Sequence, residues 1–190
     1  MRRLPVFFVL DCSESMIGEN LKRMNDGLQK IVSDLRKDPH ALETVWVSVI
    51  AFAGIARTIV PLHDIVSFYP PRLPVGGGTN LATALRELTT QIDSQVRKTT
   101  LEEKGDWKPV VSLLTDGRPT DDISAEVKRW NEFYAKKVNM IAVGIGPSVD
   151  LSVLRQLTEN VLSFTENQEG DFSRFIQWIT ASVTAHSRSV

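Results

Sequence analysis

Cysteine is almost missing from this chain: Cys12 is the only one in 190 residues. No internal disulfide can form, which rules out a disulfide-stapled scaffold and fits a reducing compartment. An excess of charge of either sign is missing too. Lysine and arginine total 22 against 23 acidic residues, a formal net charge of -1 with histidine neutral. That balance gives no long-range pull towards nucleic acid or an anionic membrane, and no run of like charges marks a basic arm or an acidic tail. Long hydrophobic runs are absent, since no stretch approaches the ~20 apolar residues of a membrane span. The opening MRRLPVFFVL imitates a secretory signal. Its apolar run is short, however, contains Pro5, and reaches Asp11 without small residues ahead of Cys12. It reads better as a buried first strand, and the cytoplasm is the expected compartment. Repeats and low-complexity tracts are lacking as well.

What remains is ordinary globular material, 42% hydrophobic and 24% charged. The length suits one domain, expected over residues 1–190. Short apolar runs at Leu4–Leu10, Thr44–Ala53, Ala56–Leu62, Val110–Thr115, Met140–Ile145 and Val161–Phe164 are rich in Val, Ile and Phe. Most are apolar on both faces, as strands covered by helices on both sides must be. Between them, apolar residues recur at three- and four-residue spacing. The series are Leu21, Met24, Leu28, Ile31, Val32 and Leu35; Leu81, Leu85, Leu88 and Ile92; Ile123, Val127, Trp130 and Tyr134; and Phe172, Phe175, Ile176 and Ile179.

Punctuation agrees with that reading. Asp121 or Asp122 can cap the helix through Trp130, Lys136 and Lys137 suit its C-terminal end, and Pro147-Ser148 opens a further turn. The link between Ala53 and Ala56 is too short for a helix, so those two strands form an antiparallel hairpin with the second at a sheet edge. Elsewhere β and α alternate. The expected architecture is a three-layer α/β/α sandwich, mostly parallel, with one antiparallel edge strand. Trp46, Trp107, Trp130 and Trp178 read as core or partial-core residues. The segment His63–Gly78, with Pro70, Pro71, Pro74 and three consecutive glycines, is the long irregular connection, the kind that usually carries function.

Ligands of open α/β sheets bind beyond the carboxyl ends of the strands. Three polar motifs gather there: Asp11-Cys12-Ser13-Glu14-Ser15, Gly76-Gly77-Gly78-Thr79-Asn80, and Thr115-Asp116-Gly117. Alternation would aim residues 11, 13 and 15 into one space and turn Cys12 and Glu14 elsewhere. Short carboxylates and hydroxyls suit a hard cation such as Mg²⁺, Mn²⁺ or Ca²⁺. Zinc is poorly served, because His40, His63 and His186 show no ligand spacing. Each motif alone also has an ordinary reading: helix capping for Ser13, Ser15 and Thr79-Asn80, an Asx turn for Asp116-Gly117. Their coincidence at one sheet edge is what points to a site.

Together the three motifs resemble the metal-ion-dependent adhesion site of von Willebrand factor A-type domains, and the resemblance runs from Leu4 to about Val183. It implies that Ser13 and Ser15 are direct ligands, that Thr79 and Asp116 bind directly or through water, and that Asp11 stands one step behind. It also implies a non-catalytic role, the ion taking an Asp, Glu or phosphorylated residue of a protein partner as its last ligand. Glu14, Gly78, Asn80 and Arg118 are the candidate partner-binding residues, with Glu19 flanking them. Within the family the chain looks most like the small TerY-type tellurite-resistance proteins, on its D-C-S-x-S-M, P-V-G-G-G-T-N and L-L-T-D-G-x-P-T-D stretches. That likeness implies an adaptor in a bacterial stress response, working beside a Ser/Thr kinase and a PP2C-like phosphatase. The alternative is an adaptor paired with an AAA+ ATPase as a chaperone-like module.

Enzymes with aspartates at strand ends fit less well. A haloacid-dehalogenase-like phosphatase needs a second Asp at position 13, where Ser13 stands, and both it and a receiver domain need a downstream Lys that the Asp116 loop lacks. No P-loop and no G-x-S-x-G elbow is present. Cys12 has no base beside it in sequence and reads as a small buried residue.

Overall fold

A computed structural model describes residues 2–164 and 169–187, the side chains of 169–173 and 186–187 excepted. The side-chain positions expected for Phe172 and His186 therefore lie outside the described residues. β1 (Leu4–Asp11) is followed by a 3-10 turn (Glu14–Met16), α1 (Glu19–Leu35) and α2 (Pro39–Thr44). Then come β2 (Val45–Phe52), β3 (Ala56–Asp64), α3 (Leu81–Gln95), β4 (Val110–Thr115) and α4 (Ser124–Phe133). The chain continues through β5 (Asn139–Ile145), α5 (Leu151–Arg155), β6 (Val161–Phe164) and α6 (Glu169–Ser187).

The six strands form one sheet in the order β3-β2-β1-β4-β5-β6. Among the described residues only β2–β3 is antiparallel, and β3 is the edge expected from the short Ala53-Gly54-Ile55 link. β1 lies parallel to both β2 and β4, so the sheet is built outward in two directions from it. The crevice where such a sheet changes direction is where α/β proteins bind ligands. Here it opens between the ends of β1 and β4, beside Asp11 and Asp116.

β1 shows how the two faces are filled. Val6, Phe8 and Leu10 pack with Met24, Leu28 and Ile31 of α1 and with Phe175 and Ile179 of α6. Phe7 and Val9 point the other way, onto Leu85 and Leu88 of α3 and Trp130 of α4. A strand buried along its whole length on both faces is the physical content of the three-layer sandwich. Trp130 is fully buried, while Trp46, Trp107 and Trp178 are half-buried. Among the described residues no helix is long and apolar enough to cross a membrane.

Some local expectations need correcting. Thr44 is not a strand residue, because Asp38-Pro39 starts the short helix α2: the Asp38 carboxylate accepts from the His40 and Ala41 amides, and Pro39 sits in its first turn. β3 runs two residues beyond Leu62, to Asp64, whose carboxylate accepts from Ser67 N and closes the turn that begins the long connection. Asp122 accepts from Ser124 N at the start of α4, but Asp121 serves a different helix altogether, described below. The turn after β5 does fall at Pro147-Ser148, and Asp150 caps α5 just beyond it. Lys136 and Lys137 lie beyond the last turn of α4, which holds no basic residue.

Candidate metal centre

β1 delivers Asp11 to the crevice as its last residue, fully buried. Its Oδ1 accepts from Ser13 N at 2.9 Å and its Oδ2 from the Thr115 hydroxyl at 2.6 Å. Both oxygens are thus engaged in fixing the β1 turn and the end of β4. The next residues do not continue as a strand. They close into the 3-10 turn, with Met16 N on Ser13 O, and this tight turn brings residues 13 and 15 onto one side. Convergence therefore arises by a different route from the alternation expected of the sequence. Cys12 turns into the core, where burial first and the Asp11 charge second push its thiol up to about 12. It is no nucleophile at neutral pH.

Ser13 Oγ and Ser15 Oγ lie 3.0 Å apart, and Ser15 Oγ donates to Asp116 Oδ1 at 2.8 Å. Asp116 is 6% exposed and Ser13 3%, while Ser15 between them is exposed, so the row is buried at both ends and meets the surface at Ser15. Asn20, in the first turn of α1, reaches Asp116 Oδ2 at 3.5 Å. Burial, and after it the nearby Asp11 charge, hold the Asp116 carboxyl above the usual carboxylate range, against the opposing hydrogen bonds from Ser15 and Asn20.

Thr79 comes from the other side. The long connection after β3 packs Ile65, Phe68 and Leu73 into the core on the α1 side of the sheet, and its Gly76 N donates to Cys12 O at 3.0 Å, just beyond the point where β2 stops pairing with β1. Gly78, with φ +81°, turns the chain through a conformation that L side chains rarely adopt. Thr79, 7% exposed, then presents its hydroxyl to Gly117: a Cβ on Gly117 would sit 3.4 Å from Thr79 Oγ1. Ser13, Ser15 and Asp116 thus form one hydrogen-bonded row, Asp11 and Thr115 lie behind it, and Thr79 stands at the Asp116-Gly117 peptide.

The candidate partner-binding residues are placed less uniformly. Glu14 and Arg118 are exposed, Glu14 with Oε1 3.5 Å from where a Cβ on Gly77 would project. Arg118 lies within electrostatic reach of Asp150, whose carboxyl is held low chiefly by Ser152. Gly78 is exposed. Asn80 is engaged within the protein, its amide donating to Gly54 O at 2.7 Å and its carbonyl accepting from Thr120 at 2.9 Å. Sequence reasoning missed Asn20, and it placed Thr120 beside the site without foreseeing its bonds to Thr79 and Asn80. Asn20 carried no signal beyond a polar residue early in a helix, and Thr120 none beyond a place in the loop after Asp116.

Among the described residues no three His, Cys, Asp or Glu side chains gather as a metal cluster. A cation in this crevice would depend on hydroxyl oxygens with two carboxylates, a donor set for a hard ion. The residues fit such an ion. Two buried carboxylates near each other, one above its ordinary range, are relieved by a positive charge, and Ser15 lies exposed to solvent beside them.

The chain belongs to the von Willebrand factor type A domain family, whose model matches residues 6–177. Domains of this family generally mediate protein interactions and are generally non-catalytic. Bovine (Bos taurus) inter-alpha-trypsin inhibitor heavy chain H1 is 27% identical over 158 residues, covering 80% of this chain and 17% of the heavy chain. The chain thus spans less than a fifth of that relative. Among solved structures, a von Willebrand factor type A protein from Catenulispora acidiphila superposes with a TM-score of 0.70 at 19% identity, over 96% of this chain and 43% of that one. Proximal thread matrix protein 1 of the mussel byssus, solved with zinc in its MIDAS motif, gives a TM-score of 0.63 at 21% identity, over 98% and 46% of the two chains.

Proposed function

We propose that this domain holds one divalent cation through Ser13, Ser15, Thr79 and Asp116, with Asp11 orienting them, and uses it to grip a carboxylate of a protein partner. The observation that carries this reading is the Ser13–Ser15–Asp116 row, anchored on buried Asp11 and reaching the surface at the crevice between β1 and β4. A bound cation would supply a Lewis-acidic charge left incompletely neutralised by two carboxylates and neutral hydroxyls, to which an Asp, Glu or phosphorylated side chain can bond. Mg²⁺ or Mn²⁺ is the expected ion and Ca²⁺ the next. The zinc in the mussel protein's MIDAS motif makes Zn²⁺ a competitor to include in any titration.

Exposed apolar residues support an interaction role. Ile17, Ile55 and Val75 are 62%, 60% and 49% exposed and lie on the three segments that flank the row: the turn after β1, the β2–β3 link and the glycine loop. Apolar side chains kept in solvent beside a polar cleft are characteristic of partner contacts. A non-catalytic role is supported by the described residues of the crevice: Cys12 is buried, and the hydrogen-bonded row of Ser13, Ser15 and Asp116 holds no histidine or lysine as a base.

The resemblance to TerY-type proteins supports a cytoplasmic kinase or PP2C-like phosphatase of a stress response as the partner. Proteins captured on the domain in Mg²⁺, eluted with EDTA and identified by mass spectrometry are to be purified and rebound by surface plasmon resonance. Losing the ion bridge should weaken the complex at least about 100-fold, in keeping with the ~3–5 kcal/mol of a broken buried charge pair. Thr79→Ala should weaken it in the same direction. An affinity indifferent to EDTA would mean that the partner docks on another face.

A further inference from the structure

Two residues outside the proposed donor set tie its two halves together. Thr120 N donates to Thr79 O at 3.0 Å, and Thr79 N donates back to Thr120 Oγ1 at 3.1 Å. The same hydroxyl donates to Asn80 Oδ1 at 2.9 Å. Asp121 then accepts from Leu81 N on Oδ1 at 3.1 Å and from Ala82 N on Oδ2 at 2.8 Å. These are the first two amides of α3, and Asn80, at the N-cap position, gives them no side-chain hydrogen bond. A carboxylate from a loop some 40 residues away caps the helix instead, favoured there by the helix dipole.

The consequence is mechanical. The loop after β4 carries Asp116, and the loop before α3 carries Thr79. Each is anchored to its own strand or helix, and the Thr120–Asp121 bonds fix one loop to the other. Without them the Thr79 loop would keep its bonds to the turn after β1 and to the β2–β3 link, through Gly76 N and Asn80, but lose those to the loop that carries Asp116.

We infer that Thr120 and Asp121 are positioning residues of the centre, a clamp on which cation affinity depends although neither side chain touches the ion. This rests on the reading of the crevice as a cation site. Binding linkage then runs both ways: an ion gripped by Thr79 and Asp116 steadies the clamp, so occupancy protects the first amides of α3.

The decisive variant is Thr120→Val, which keeps the side-chain volume and the backbone N–H while removing the hydroxyl from an exposed position. Mn²⁺ and Mg²⁺ titrations of the full chain should show affinity lowered about 10-fold, the lower end of what residues supporting metal ligands contribute. Thr120→Ser should restore it. Hydrogen exchange gives a readout independent of loading. In metal-free protein, Thr120→Val should speed exchange at Thr79, with the β4 and β5 amides unchanged as a control for folding. Added metal should slow exchange at Leu81 and Ala82 in the wild type more than in the variant. Equal affinity in wild type and Thr120→Val, with Thr79 exchange accelerated, would overturn the clamp while leaving the cation site standing. A loss that Thr120→Ser fails to restore would assign the effect to packing and overturn it too. A wild type that takes up no cation would sink the metal reading, and this inference with it.

Discussion

Asp116→Asn should reverse the order of stability between metal-free and metal-loaded protein. In EDTA at neutral pH the variant should melt above the wild type by a few degrees, and in saturating Mg²⁺ below it. The first half follows from the electrostatics. Burial and the neighbouring Asp11 raise the folded-state pKa of Asp116. A carboxyl raised in this way contributes stability below its unfolded pKa and loses that contribution as pH rises through the folded value. At neutral pH the metal-free fold therefore carries a charge it would be more stable without. Asparagine removes the charge and keeps an oxygen to accept from Ser15. The difference between the two proteins in EDTA should shrink as pH falls into the range where Asp116 protonates.

The second half is mass action. Metal at 100 times its dissociation constant adds about 2.7 kcal/mol to the wild type. In a protein of this size that is worth roughly 5–11 °C of melting temperature. The variant should gain almost nothing, because the one carboxylate in the hydrogen-bonded row is gone. Melting curves in EDTA and in graded Mg²⁺ check both halves. A variant stabilised by Mg²⁺ as much as the wild type would place the ion elsewhere.

Gly54→Val should damage the centre from a position that holds no donor. The β2–β3 link passes so close to the glycine loop that a Cβ on Gly54 would lie 2.7 Å from Gly77 O, a backbone atom with no rotamer to yield. The same two segments are joined by Asn80 N to Ala53 O at 2.8 Å and by the Asn80 amide to Gly54 O at 2.7 Å. A valine must push the loop or the hairpin aside and strain both bonds. Overpacking of this kind typically costs about 1–3 kcal/mol, and the displaced loop is the one that carries Thr79. Thermal unfolding should show the loss of stability, and calorimetric titration a cation affinity weakened by about tenfold or more. Full stability with wild-type affinity would show that the glycine is not needed for close approach.

Much of this was legible in the sequence because it rests on local rules. Alternating apolar runs and helical series mark the six strands and the long helices, and the short Ala53–Ala56 link marks the antiparallel edge. The three motifs fall in chain order onto the ends of β1 and β4 and the start of α3. What escaped depends on contacts between segments distant in the chain. No spacing rule says that Asp121 caps α3 rather than α4, since both helices begin near a polar turn and only the packed fold decides which amides its carboxylate meets. Asn20 is similar, its link to Asp116 spanning 96 positions. The 3-10 turn that gathers Ser13 and Ser15 was hidden by the period of two, which gives the same odd-numbered convergence by another geometry. α2 was missed because six residues show too little of a helical period, although Asp38-Pro39 was a readable start.

Crystals grown or soaked in Mn²⁺ and measured for anomalous scattering locate a bound ion without reference to any assumed ligand. One strong peak is expected in the crevice between β1 and β4, in contact with Ser13, Ser15 and Asp116 and absent from Asp116→Asn crystals treated alike. A crevice without a peak at saturating Mn²⁺, or a peak that persists in the variant, would contradict the proposed cation site.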